Sequence, residues 1–273
     1  GADLHARTLA NALSKAWNRT VVVENMGGAG GGVAAAHVAK SEPDGYTIFF
    51  ATHPILAINP SLYRKLAYDP EKDFAPVSKL GETALMLMVN AASGIRSVPD
   101  LIKLAREKPD TLHFGSGGPG TTQHLSAELF RHMAGISIVH VPFKGGALAT
   151  AALMGGEIQL QFDSAYPGMM SMKAGKLRGI AVTSKERLPL LPDMPTMNEV
   201  LSGYESVLAY GILVPAGTPS EVVAALTRDI NKVLSDPAYR SEMEKRTIRL
   251  DPGTPEAFRA WLDAERKKWG DLI

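Results

Sequence analysis

Residues 111–123 read TLHFGSGGPGTTQ, and their pattern is the strongest indication of the fold class. Its apolar start predicts a short strand over residues 112–114, and the glycines of 115–120 predict a tight loop. Thr121 and Thr122 then open a predicted helix, because apolar residues recur every four positions at Leu125, Leu129 and Met133. Such a junction aims unpaired backbone N–H groups and the positive end of the helix dipole at one point. We therefore expect an anion site here, for a phosphate or a carboxylate.

A dinucleotide site is the sharpest alternative for the same loop. Gly115, Gly117 and Gly120 match the G-x-G-x-x-G fingerprint. That fingerprint also requires an acidic residue at the end of the next strand, and the next predicted strand ends in HVPFK at 140–144. An α/β enzyme acting on a nucleotide or acyl substrate at the Gly115–Gln123 loop is therefore the weaker hypothesis. A glycine turn that only permits close packing is the third interpretation.

Composition and motifs exclude several other classes of protein. The 273 residues contain no cysteine, so disulfides, thiolate metal sites and cysteine nucleophiles are absent. A net charge of +1 without a block of Lys and Arg predicts no nucleic-acid partner. The seven histidines lack H-E-x-x-H spacing, and Ser116 lies in G-S-G-G rather than G-x-S-x-G. We expect no metal, no cofactor and no catalytic residue.

Helix and strand patterns alternate along the rest of the chain, which predicts an α/β fold with mixed, mostly parallel sheets. Strands are expected at 21–23, 46–51, 80–90, 136–141, 158–162, 177–183 and 204–214. The long apolar strands at 80–90 and 204–214 are interpreted as crossings between two lobes. The expected division is 1–95 plus 212–273 for the first lobe and 96–211 for an inserted second lobe. A ligand is expected between the lobes, beyond the carboxyl ends of the strands.

Eight motifs, in order along nearly the whole chain, carry a resemblance to a known family: VVVENMGGAGG, AKSEPDGYTIFFAT, INPSLYRKLAYDPEKDFAPVS, GSGGPGTTQHLSAELF, VPFKGG, GGEIQLQFDS, KAGKLRGIAVTS and VPAGTP. Together they resemble the tripartite tricarboxylate transporter (TTT) receptors, the Bug-type extracytoplasmic solute-binding proteins. The resemblance implies a type II periplasmic-binding-protein fold, whose two α/β lobes, joined by two crossing strands, close on a ligand. It also implies a non-catalytic, periplasmic and monomeric receptor that delivers a small organic acid to membrane transporter subunits.

The resemblance places the family's binding loops at Thr52-His53 in the first lobe and at 116–123 and 163–164 in the second. Such receptors hold a carboxylate largely through backbone N–H groups, hydroxyls and ordered waters. A matching aspartate, here Asp163, is expected to orient a polar ligand group or a water. The expected ligand-binding residues are Thr52, His53, Ser116, Gly117, Gly120, Thr121, Thr122, Gln123, Asp163, Ser164 and Ala209.

Two departures from the family pattern lead to further expectations. Family members begin with a strand and a Pro/Gly-rich loop before the first helix, and this sequence starts near the end of that loop. We therefore expect the first lobe to lack its first strand. Many relatives also carry a tryptophan where this chain has Ala209, just before Tyr210-Gly211. The smaller residue predicts a larger cleft, which favours a bulkier or aromatic acid over a small dicarboxylate.

Overall fold

The computed structural model describes residues 2–273, apart from the side chain of residue 29. Its helices are α1 Ala2–Trp17, α2 Gly32–Val38, α3 Asn59–Leu62, α4 Val98–Glu107, α5 Thr122–Ala134, α6 Gly146–Gly155, α7 Ala165–Met172, α8 Ser220–Ser235, α9 Pro237–Glu244 and α10 Pro255–Leu272. Its strands are β1 Phe49–Thr52, β2 Phe74–Asn90, β3 His113–Ser116, β4 Val139–Pro142, β5 Leu160–Ser164, β6 Leu177–Val182, β7 Val207–Pro215 and β8 Ile248–Leu250. Within residues 2–273, every helix is too short or too polar to cross a membrane.

The backbone packs into two units. Unit 1 consists of the residues up to Glu82 together with Ala209–Ile273, and unit 2 consists of Thr83–Leu208. The strands β2 and β7 each contribute residues to both units. The division into functional domains at 1–95 plus 212–273 and at 96–211 stays a prediction.

Unit 2 contains a five-stranded sheet in the order β6-β2-β5-β3-β4. The strand β3 is parallel to both β4 and β5, whereas β2 is antiparallel to β5 and β6. The carboxyl ends of β3, β4 and β5 therefore lie at one edge of the sheet. Loops and helix N-termini that follow these three strands are gathered at that edge.

Both faces of the unit 2 sheet are covered. Successive side chains of β2 point to opposite faces, and apolar side chains lie on both. Leu85, Leu87 and Val89 belong to the core formed with α4 and α5, which includes Phe130. The residues between them, Met86 and Met88, pack on the other face in the cluster that contains Ala152 and Leu153 of α6. The methionines are core residues, and adjacent side chains of one strand serve two separate cores.

Unit 1 pairs β1 with β7 in antiparallel register, from Phe49 opposite Leu213 to Thr52 opposite Tyr210. Its core joins these strands to α2 and α10. All three tryptophans of the sequence belong to this unit. Trp17 donates a hydrogen bond to Asp229 of α8 at 2.9 Å, and the other two, Trp261 and Trp269, lie on α10.

The structure confirms the α/β class but corrects individual elements. The strand expected at 21–23 does not form: the Val21 amide donates to the Ser14 hydroxyl, and Val22 is 74% exposed. Three valines favour a strand by propensity, but a strand also needs a neighbour with which to pair. The short helix α9, the strand β8 and the helical turn Pro54–Ile58 were not expected.

Candidate functional site

Three chain segments meet at the carboxyl edge of the unit 2 sheet: the loop after β3, the loop after β4 and the end of β5. Gly117 in the first loop lies so close to the second that an added Cβ would be 3.1 Å from the Gly146 nitrogen. The same added atom would lie 2.9 Å from the side-chain oxygen of Gln123. Glycine at position 117 therefore permits the close approach of the first two segments.

The amides of the glycine loop are mostly used within the protein. Gly117 donates to Gln123 Oε1 at 2.6 Å, and Gly118 donates to Ser116 Oγ at 3.1 Å. Gly120 donates to His124 Nδ1 at 3.3 Å, and Thr121 donates to the Gly118 carbonyl at 3.4 Å. The expectation of unpaired loop amides is wrong for these four groups, because three side chains and the Gly118 carbonyl accept from them, and the strand-to-helix pattern specifies none of these acceptors.

The first turn of α5 keeps the backbone donors that an anion site would use. Thr121 is the N-cap, whose hydroxyl accepts from the His124 amide at 3.3 Å and donates to the Gly118 carbonyl at 2.8 Å. Within residues 2–273, the amides of Thr122 and Gln123 have no acceptor. Two N–H donors thus remain at the positive end of the helix dipole, which is the arrangement that favours a carboxylate.

The rings of Phe114, His124 and His140 pack against one another next to the glycine loop. The His140 ring lies 4.8 Å from that of Phe114 and 4.1 Å from that of His124, measured between centroids. His140 Nε2 is 2.7 Å from the hydroxyl of Ser116, which is fully buried. Burial lowers the pKa of His140 to about 4, with His124 adding to the shift. Burial also lowers the pKa of His124, so the environment of both rings favours their neutral forms. Ser116 acts as a structural link between the loop and His140.

Asp163 lies at the end of β5 and is held by several donors. Its Oδ1 accepts from Gln123 Nε2 at 2.7 Å and from the Ser164 amide at 2.8 Å, and its Oδ2 accepts from the Thr150 hydroxyl at 3.4 Å. Burial raises the pKa of Asp163, although these hydrogen bonds oppose the shift. The structure therefore brings Gln123, predicted from the loop, together with Asp163, predicted from a strand end.

The predicted contacts outside unit 2 are less accessible. Thr52 is half-buried at the end of β1. His53 and Ala209 are 2% and 1% exposed, and the Ala209 amide donates to His53 Nδ1 at 3.4 Å. Burial lowers the pKa of His53 to about 3. Both side chains are buried, and contacts of His53 and Ala209 with a ligand stay predictions. Residues after a strand end were expected at the surface, but the turn at Pro54–Ile58 folds this segment into the core.

Three further polar residues belong to the site and were missed in the sequence. The Thr150 hydroxyl lies 3.1 Å from Gln161 Oε1, and Gln161 donates to the Gly146 carbonyl at 3.2 Å. His140 is the third. The only signal for it was its place at the end of a predicted strand, and nothing in the local pattern indicated Thr150 or Gln161. Among the residues that the structure describes, no group of three or more His, Asp or Glu side chains is arranged to hold a metal ion.

Curated relatives cover almost the whole chain. A protein from the tcbD-tcbE intergenic region of Pseudomonas sp. strain P51 is 33% identical over an alignment of 273 positions, which covers 99% of this chain and 81% of that protein. BugT of Bordetella pertussis is 30% identical over 275 residues, covering 99% of this chain and 84% of its own length.

Solved structures match equally well and confirm the expected fold. R. palustris Rpa4515 with adipate has a TM-score of 0.92 at 34% identity, covering 99% of this chain and 91% of its own. The periplasmic binding protein BugD has a TM-score of 0.87 at 30% identity, with 99% and 91% covered. MatC from Rhodopseudomonas palustris with bound malate has a TM-score of 0.88 at 27% identity, with 100% and 94% covered.

A sequence model for the tripartite tricarboxylate transporter family receptor matches residues 5–273. The order of the elements, the relatives and this match all agree. The chain belongs to the tripartite tricarboxylate transporter receptor family.

Proposed function

We propose that this protein is a periplasmic solute-binding receptor that binds a small organic carboxylate and delivers it to membrane transporter subunits. The observation that carries the proposal is the first turn of α5, where the amides of Thr122 and Gln123 lack an acceptor within residues 2–273. Two similar proteins, Rpa4515 and MatC, have structures with the dicarboxylates adipate and malate. A carboxylate is the ligand that both observations favour.

In this proposal the ligand carboxylate accepts hydrogen bonds from the Thr122 and Gln123 amides, next to the Thr121 cap. Asp163 and Ser164 orient a second polar group of the ligand or a bridging water, and Thr52 is a further contact. Ser116, Gly117 and Gly120 shape the loop. A dinucleotide is disfavoured at this loop, because the amides that would cradle a pyrophosphate already donate to Gln123, Ser116 and His124.

Isothermal titration calorimetry of the purified protein tests the ligand class. Adipate and malate represent dicarboxylates, benzoate represents aromatic acids, and NAD and glucose serve as a nucleotide and a neutral solute. We expect saturable binding of at least one carboxylate and none of NAD or glucose. Binding of NAD without any carboxylate would overturn the proposal. Benzoate binding within tenfold of adipate would support the larger cleft predicted from Ala209, whereas binding of adipate or malate alone would contradict it.

The proposal also includes a non-catalytic, monomeric receptor. The same carboxylates, incubated with the protein overnight, are expected to be recovered unchanged by proton NMR. Light scattering after size exclusion is expected to give the mass of one chain, with and without ligand. A new product in the NMR spectrum would favour the enzyme hypothesis, and a ligand-dependent dimer would contradict the monomer.

A further inference from the structure

We propose that the side chain of Gln123 is a positioning residue that locks the glycine loop to the end of β5. The inference rests on the proposed function for its consequence, which is the tight binding of a carboxylate at α5. Gln123 then has two separate roles: its backbone amide binds the ligand, and its side chain holds the surrounding segments in place.

Two short hydrogen bonds fix the side-chain amide. Gln123 Oε1 accepts from the Gly117 amide at 2.6 Å, and its Nε2 donates to Asp163 Oδ1 at 2.7 Å. The orientation of the amide follows from its partners, because a backbone N–H can only donate and a carboxylate can only accept. The side chain therefore joins two segments that are 46 positions apart in sequence, at Gly117 and Asp163.

The third segment is fitted around the same side chain. A Cβ added at Gly146 would lie 2.5 Å from Gln123 Nε2. Gly146 in turn accepts a hydrogen bond from the buried Gln161 side chain through its carbonyl, at 3.2 Å. Glycine at positions 117 and 146 leaves the space that Gln123 occupies. One side chain thus contacts all three segments at the sheet edge.

This bonding also argues against the Gln123 side chain as the main ligand contact. Its oxygen and one of its N–H groups are already used by Gly117 and Asp163. A ligand that displaced Gln123 would leave the Gly117 amide and the Asp163 carboxylate without these partners, which is costly for partly buried groups. The Gln123 side chain therefore contributes to ligand binding by holding the α5 amides in the orientation that binds the carboxylate.

Gln123→Glu gives the sharpest test, because it converts the contact with Asp163 into two facing carboxyl groups. Two ionised carboxylates this close repel each other, whereas a pair that shares one proton still forms a hydrogen bond. At pH 8.5 we expect the lock to open and the affinity for adipate or malate to fall at least tenfold relative to the wild type. At pH 6.0 a shared proton restores the hydrogen bond, and the deficit should shrink to about threefold or less.

Matched variants separate this effect from a general loss of structure. Gln159→Glu makes the same change at the opposite edge of the sheet, where Gln159 Oε1 accepts from the His113 amide at 2.9 Å, and should follow the wild type at both pH values. Gln123→Glu combined with Asp163→Asn removes the carboxyl pair, so the extra pH dependence should disappear. Gln123→Met keeps the length of the side chain without its hydrogen bonds and should bind weakly at both pH values.

A ligand-free measurement keeps the inference separate from the proposed function. Hydrogen–deuterium exchange at pH 7 should be at least fivefold faster in the peptide that covers 115–121 for Gln123→Met, and unchanged there for Gln159→Met. Equal exchange in Gln123→Met and the wild type would overturn the inference. So would wild-type affinity of Gln123→Met for a carboxylate that the wild type binds. If the wild type binds no carboxylate, the proposed function fails, and the exchange result alone decides the role of Gln123.

Discussion

At the scale of single residues, the proposed anion site depends most directly on the Thr122 amide. Thr122→Pro removes this donor and leaves the helix intact, because proline is favoured at the first helical position. The preceding Thr121 has φ −68° and ψ 154°, the extended conformation that a residue before proline requires. A hydrogen bond to a charged group contributes about 1.5–3 kcal/mol, so we expect about 10- to 100-fold weaker carboxylate binding by calorimetry.

The control for this variant is Ser220→Pro, the same change at the first position of α8 in unit 1. Both variants should unfold within about 2 °C of the wild type, since neither change breaks a bond inside a helix. Undiminished carboxylate affinity in Thr122→Pro would contradict the assignment of the anion site to α5.

Sequence patterns predicted single residues of the site only where the chemistry was local. The strand, loop and helix around 111–123 were predicted from the local sequence, and so was the position of Asp163 at a strand end. The contact of Gln123 with Asp163 and that of Ser116 with His140 join residues 40 and 24 positions apart. Such pairs depend on which strands become neighbours in the sheet. The burial of His53 likewise depends on α10, more than 200 residues later, whose Trp261 and Trp269 lie against its ring.

At the scale of elements, the start of α4 offers a clean test of local signals. Ser97 caps this helix, its hydroxyl accepting from the Asp100 amide at 3.2 Å, and Pro99 lies in the first turn. Ser97→Ala should lower the free energy of unfolding by about 1 kcal/mol, measured by urea denaturation. Ser97→Thr keeps the oxygen and should remain within about 0.5 kcal/mol of the wild type. Equal stability of the Ala and Thr variants would show that the cap contributes nothing.

The elements that sequence predicted best are those whose signals are self-contained. The strand expected at 80–90 lies within β2, and the helix expected after Thr121 and Thr122 forms as α5. The segment 21–23 shows why other predictions failed, because an apolar run becomes a strand only beside a partner. Short elements such as α9 and β8 are fixed by tertiary packing, which a local pattern does not contain.

At the scale of the whole molecule, two buried neutral histidines predict the response to acid. His5 and His53 are 1% and 2% exposed, and burial lowers their pKa values to about 4 and about 3. The unfolded chain takes up protons on these residues below about pH 6.5, whereas the folded chain does not. Their contribution to stability is complete above that pH and falls as the pH drops towards 4, by about 1 kcal/mol per histidine at pH 5.5.

His5→Phe isolates one of these two groups. Within the described residues neither ring nitrogen of His5 has a hydrogen-bond partner, and the ring packs edge-on against Phe50 and Tyr210. Phenylalanine keeps this aromatic packing. Urea denaturation at pH 7.5 and 5.5 should show a loss of stability that is about 1 kcal/mol smaller in His5→Phe than in the wild type. An equal loss in both proteins would contradict the assignment.

The placement of the tryptophans decides which spectroscopic probe can follow ligand capture. All three indoles belong to unit 1, and the α5 site belongs to unit 2. Intrinsic emission excited at long ultraviolet wavelengths therefore reports on the unit that does not contain the proposed carboxylate site, and an unchanged spectrum is no sign of an empty site. Because the chain is free of cysteine, a single engineered thiol beside α5 would accept a dye at one position and give unit 2 an optical signal of its own.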